Sequence, residues 1–133
     1  PEMARIWSDE NKYETWMKVE IIVTEVLSDR GSVPKEALQI INDKAAYSVE
    51  RILEIEKTTH HDVIAFLTNL AENIGPESRF IHMGMTSSDL LDTSLALLCK
   101  EAGEIIPVFR EFFSKPNAVS SLNKPKEETS EEV

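Results

Sequence analysis

Apolar residues recur at steps of three and four along most of the first hundred positions, and no segment shows the strict alternation of a half-buried strand. Tyr13, Trp16, Val19, Val23, Val26 and Leu27 form one such stripe, opened by Ser8 as an N-cap with Asp9 and Glu10 in the first turn. Gly31 supplies a stop, and Pro34 suits the first turn of a second helix running to about Ile41. A third helix is expected from Lys44 to Glu56, with Ala46, Val49, Ile52 and Leu53 facing inward. A fourth carries Val63, Phe66, Leu67, Leu70 and Ile74 and is ended by Gly75-Pro76. The fifth presents Leu91, Leu95, Leu98, Ala102 and Ile105, while Leu90 and Leu97 widen its apolar arc until it calls for partners on more than one side. Five amphipathic helices predict an all-α fold.

The helical pattern reaches residue 106, so residues 1–106 are expected to form one domain. Pro107 interrupts it, a short cluster of Phe109, Phe112 and Phe113 follows, and from Ser114 onward Pro, Ser, Asn, Lys and Glu dominate. Such a composition buries too little apolar surface to offset its ordering entropy, so 107–133 is expected to be a flexible tail. The net charge of −10 argues against nucleic acid or an anionic membrane as a partner, since phosphate attracts Lys and Arg. No run is apolar for long enough to span a bilayer, and the N-terminus carries no signal-peptide pattern. The single cysteine, Cys99, lies in an apolar helical stretch, which predicts a buried thiol in a reducing cytosolic setting. Pro1 as first residue points to a true start further upstream.

The stretch Thr58–Asp89 holds all three histidines, His60, His61 and His82. It also holds two helix-start signatures of one design, Thr59-His60-His61-Asp62 and Thr86-Ser87-Ser88-Asp89, each placing a hydroxyl three residues ahead of an acid before an apolar run. Open backbone N–H groups and the positive end of the helix dipole favour an anionic ligand at such termini. Thr86 and Ser87 could donate to carboxylate or phosphate oxygens, and Asp62 beside His61 would favour the imidazolium. Capping boxes also begin ordinary helices, so spacing alone leaves both readings open. Adjacent His60 and His61 point about 100° apart on a helix and cannot share one ion, so no metal is expected. A triad of Ser87 or Ser88 with a histidine and Asp62 lacks any nucleophile-elbow sequence.

Arg51-Ile52-Leu53-Glu54-Ile55-Glu56-Lys57, with the Thr-His-His-Asp-Val-Ile-Ala-Phe that follows, resembles the N-terminal domain of the adenylosuccinate lyase family. Ile81-His82-Met83-Gly84-Met85-Thr86-Ser87-Ser88-Asp89 fits that family's His-x-Gly-x-Thr-Ser-x-Asp segment, and Pro1 to Ser8 is similar to its opening. The resemblance covers roughly residues 1 to 106. It implies a helical domain of the fumarase and aspartase fold, from a cytoplasmic homotetramer that eliminates fumarate from adenylosuccinate, leaving AMP, and from an earlier purine-pathway intermediate. By the same analogy His60, His61 and Asp62 would line the nucleotide pocket, with His61 assisting the reacting group. Thr86 and Ser87 would hold substrate oxygens and His82 would lie near the phosphate; no metal or organic cofactor is implied. The reaction implied is a β-elimination: a base removes the proton α to a carboxylate and an acid protonates the departing nitrogen. The family's acid lies in a Thr-His-Gly segment and its base on a Ser-Ser-x-Met-Pro-x-Lys loop. Neither motif occurs in these 133 residues, so the expectation is an inactive N-terminal piece of the enzyme. The competing expectation is a non-catalytic helical module that binds a partner, or itself, through the fifth helix.

Overall fold

A computed structural model describes residues 1–115, and within them the chain is helical with no strand. The elements are α1 (Glu2–Ile6), α2 (Asp9–Asp29), α3 (Lys35–Lys44), α4 (Val49–Thr59), α5 (Asp62–Ile74), a 3-10 turn (Pro76–Phe80), α6 (Ser87–Ile105) and α7 (Pro107–Phe113). The all-α expectation is met. The 3-10 turn and α1, each five residues long, are too short for an apolar period to register in sequence. α7 occupies the first seven residues of the tail expected over 107–133, where Pro107 begins a helix instead of ending one, and the remainder of that tail from residue 116 lies outside the described residues.

Local chemistry sets the helix ends. The Ser8 hydroxyl accepts from the Asn11 N–H at 3.2 Å and begins α2. At its other end Gly31 sits at φ 78°, and the N–H groups of Gly31 and Ser32 donate to the carbonyls of Ser28 and Leu27, both at 2.9 Å. This is the paired bonding of a Schellman stop, which glycine reaches without the Cβ penalty of the left-handed region. The third expected helix splits differently: Lys44 closes α3, residues 45–48 form a link, and α4 begins after Ser48, whose hydroxyl accepts from Arg51 N–H.

The core is centred on α2 and α5. Tyr13 stacks on Phe66 with ring centroids 5.8 Å apart, and Trp16 meets the same ring edge-on at 5.4 Å. Ile41, Ile52, Val63, Leu70, Ile74 and Leu90 close around them. α4 and α5 are antiparallel, because the start of one is tied to the end of the other. The Asn69 side chain accepts from Ser48 N–H at 2.8 Å, and Arg51 grips Glu72 through two nitrogens at 2.7 and 3.1 Å. Glu72 and Glu54 together raise the Arg51 pKa, and Arg51 in turn lowers that of Glu72. A smaller cluster of Ile6, Leu98 and Ala102 seats α1 on the second half of α6, where Arg5 pairs with Glu101.

Several inward faces differ from the periodicity. In α2 the buried line continues through Glu20, Thr24 and Ser28, whereas Val26 is exposed. Leu53 and Ala46 are exposed and Ile55 is buried in their stead. In α6 the buried line is Leu90, Ser94, Leu98 and Ala102, at steps of four, which turns Leu95 and Leu97 to solvent. The small polar Ser94 is thus covered in place of a leucine. Cys99 is exposed, one step beyond the covered face and contrary to the buried thiol expected.

Candidate functional site

Two junctions carry the candidate residues. The first joins α4 to α5 through only His60 and His61. α4 runs through Thr59, and His60 closes it in the left-handed region at φ 50°. The N-cap of α5 is His61, whose Nδ1 accepts from Ile64 N–H at 3.3 Å. The Thr59-to-Asp62 capping box therefore does not form: the Thr59 hydroxyl instead donates to the His61 carbonyl at 3.2 Å. Asp62 turns its carboxylate to the N–H of Val63 at 2.7 Å and stands 3.6 Å from His61 Nδ1, beyond hydrogen-bond length. With Nδ1 accepting, the lone pair is engaged and Asp62 has no proton to receive there. His61 Nδ1 is thus turned to a cap rather than into a hydrogen bond with Asp62.

This arrangement sets a stability prediction. His61→Ala removes the cap and is expected to lower the unfolding free energy by about 1 kcal/mol, while His61→Asn, with a strong capping amide, retains it. Urea denaturation of the two variants checks the pair. Equal losses in both would mean that the Ile64 N–H bond contributes nothing.

The second junction runs from the 3-10 turn to α6. Thr86 is the N-cap of α6 and completes a capping box in both directions: its hydroxyl accepts from Asp89 N–H at 3.4 Å, and the Asp89 carboxylate accepts from Thr86 N–H at 2.7 Å. The Thr86 N–H and hydroxyl hold the Asp89 carboxyl below its ordinary pKa, with a further contribution from the charge of His82. The Thr86 hydroxyl also donates to Asp89 at 2.9 Å, so it is engaged by the cap, while the adjacent Ser87 opens the helix itself. Gly84, at φ 77°, lets the chain turn into this cap.

His82 is held from below by a residue the sequence did not flag. Glu20 of α2 is fully buried, and its carboxylate reaches His82 Nδ1 at 2.6 Å and His82 N–H at 2.9 Å. No local signal marks it, since an acid beside Val19 reads as solvated unless its distant partner is known. His82 takes φ 61°, a left-handed conformation unusual for a side chain with a Cβ, and its ring is 19% exposed.

His60, His61 and Asp62 thus form one group, and His82, Thr86, Ser87 and Asp89 another. Among the described residues no hydrogen bond or ion pair joins the two, and no three His, Cys, Asp or Glu side chains converge as a metal would need. Each group offers a helix N-terminus and an imidazole to an anion. A separate apolar groove of about 280 Å³ lies between α2 and α6, lined by Trp7, Lys12, Trp16, Leu91, Leu95 and Leu98 among others.

Comparison with known proteins gives a consistent picture. A family model described as "Lyase" matches residues 1–120. Adenylosuccinate lyase of Bacillus subtilis (strain 168) is 43% identical over 106 residues, which are 80% of this chain and 25% of that protein. Adenylosuccinate lyase of Streptococcus mutans is 47% identical over 106 residues, covering 80% of this chain and 24% of the relative. The chain spans about a quarter of the length of the curated relatives it matches.

Proposed function

Since the chain belongs to the lyase family, whose model matches it over residues 1–120, we propose that it supplies the N-terminal, substrate-binding part of an adenylosuccinate lyase. That enzyme would eliminate fumarate from adenylosuccinate, giving AMP, and from the related carboxamide intermediate of purine biosynthesis. The observation that carries the reading is the identity of 43% and 47% with two adenylosuccinate lyases over 106 residues. The geometry is in keeping with it. His82, braced by Glu20, precedes a helix N-terminus whose cap leaves the Ser87 hydroxyl and open backbone donors for a phosphate or carboxylate. His61, capping through Nδ1, keeps Nε2 for the reacting group, with His60 and Asp62 beside it. The acid and base of the elimination would come from elsewhere in a longer polypeptide or from other subunits of a cytoplasmic homotetramer.

The test is calorimetric titration of the chain with AMP and with adenylosuccinate, beside an assay for fumarate. Saturable nucleotide binding without turnover is the expected result. Fumarate release above background would overturn the assignment of acid and base to other sequence.

A second reading is favoured by one observation: Leu95 is 52% and Trp7 49% exposed at the rim of the apolar groove. On that reading the chain is a helical module that associates through α6. Leu95→Glu would then abolish self-association in sedimentation, and AMP would produce no heat.

A further inference from the structure

Glu20 is the buried ionisable group that the functional reading leaves without a task. It lies on the core side of α2 between Val19 and Thr24, and both oxygens of its carboxylate are directed to one residue 62 positions away. An ionised carboxylate withdrawn from water is strongly disfavoured unless hydrogen-bonded to a partner. Here His82 provides both donors, its backbone N–H and its ring Nδ1.

Those two bonds have consequences for His82. A carboxylate can only accept, so Nδ1 must carry a proton; the nitrogen left for any other contact is Nε2, which donates to an anion when it too is protonated, in the imidazolium form. The backbone bond holds the residue at φ 61°, a conformation that lacks the support of a helix or strand. Pose and the Nδ1 proton are therefore both set from α2, while the partly exposed ring edge lies near the N-terminus of α6, close enough for a charge on it to act on Asp89.

We propose that Glu20 is a positioning residue: by accepting from both the N–H and Nδ1–H of His82, it fixes the ring so that Nε2–H points to the anionic group of the substrate. This rests on the reading of the chain as part of a nucleotide-binding lyase site. Glu20 touches no substrate itself. Its part resembles that of the outer carboxylates that orient histidines in other sites, where ring direction matters as much as ring charge.

The test begins with the unaltered chain. A long-range nitrogen–proton NMR spectrum of its histidines, with AMP titrated in, is expected to show a protonated Nδ1 on His82 and an Nε2 signal that shifts as AMP saturates. A bare, pyridine-type Nδ1 on His82 would overturn the proposal, and this outcome needs no variant to fold. Glu20→Gln is the second arm, because an amide offers one acceptor oxygen where the carboxylate offers two. Without the buried negative charge the ring should no longer hold protons on both nitrogens, so Glu20→Gln should leave a neutral His82 and weaken AMP binding at least tenfold, with His82→Ala adding little on top. Glu20→Asp, which keeps the carboxylate, should restore part of both. A Glu20→Gln chain that folds, keeps both ring protons on His82 and binds AMP as before would contradict the role. Absence of AMP binding together with a protonated Nδ1 would strike the nucleotide reading while leaving the hold of Glu20 on His82 in place.

Discussion

Phe66→Ala is expected to lower the unfolding free energy by about 3–5 kcal/mol. Phe66 is fully buried, and its ring is the shared surface of Tyr13, stacked at 5.8 Å, and Trp16, edge-on at 5.4 Å. Removing it takes a partner from both rings at once, and α2 and α5 cannot close the cavity without dragging Ile52 and Leu90 with them. A small domain has only about 5–15 kcal/mol in total, so the variant would be partly unfolded at ordinary temperature. Ile64→Ala, on the exposed side of the same helix, should stay within about 0.5 kcal/mol of the parent. Urea melts followed by tryptophan fluorescence compare the two. A Phe66→Ala loss no greater than that of Ile64→Ala would place the core elsewhere.

The second large effect concerns binding. His82→Ala is expected to weaken AMP by about ten- to a hundredfold, the equivalent of one charge-assisted hydrogen bond of about 1.5–3 kcal/mol. The loss has two parts that act in the same direction. The Nε2 donor disappears, and Glu20 is left buried with its ring partner gone. The second part also reduces stability, so affinity and a urea melt must be measured on the same sample. Unchanged affinity in a folded His82→Ala chain would remove the residue from the site.

Much of this was legible in the sequence because it is local. The stripe of α5, the Ser8 cap, the Gly31 stop and the Thr86–Asp89 box each depend on residues within a few positions, where spacing dictates geometry. What escaped depends on partners far along the chain or on backbone conformations outside the common menu. Glu20 reads as a solvated acid until the loop 62 residues later is brought over it. The first capping box does not form: His60 adopts φ 50° and ends α4, and the cap of α5 falls two residues after Thr59 on a histidine rather than a hydroxyl. On α6 the sequence points to Leu91 and Leu95, yet the covered line runs through Ser94 at steps of four from Leu90, a polar residue that hydropathy does not place inside. The family resemblance was legible for another reason: two motifs in the right order and separation restrict far more than either cap alone. The matches over 106 residues to adenylosuccinate lyases bear it out.

A nucleotide bound by this chain should touch both helix starts. Titration of the nitrogen-15-labelled protein with AMP, followed amide by amide, tests that directly. The predicted result is saturable shifts confined to residues 60–64 and 82–89, the two helix starts and the loop that Glu20 holds. Shifts that fail to saturate, or that gather around Trp7 and Leu95 at the apolar groove, would contradict it.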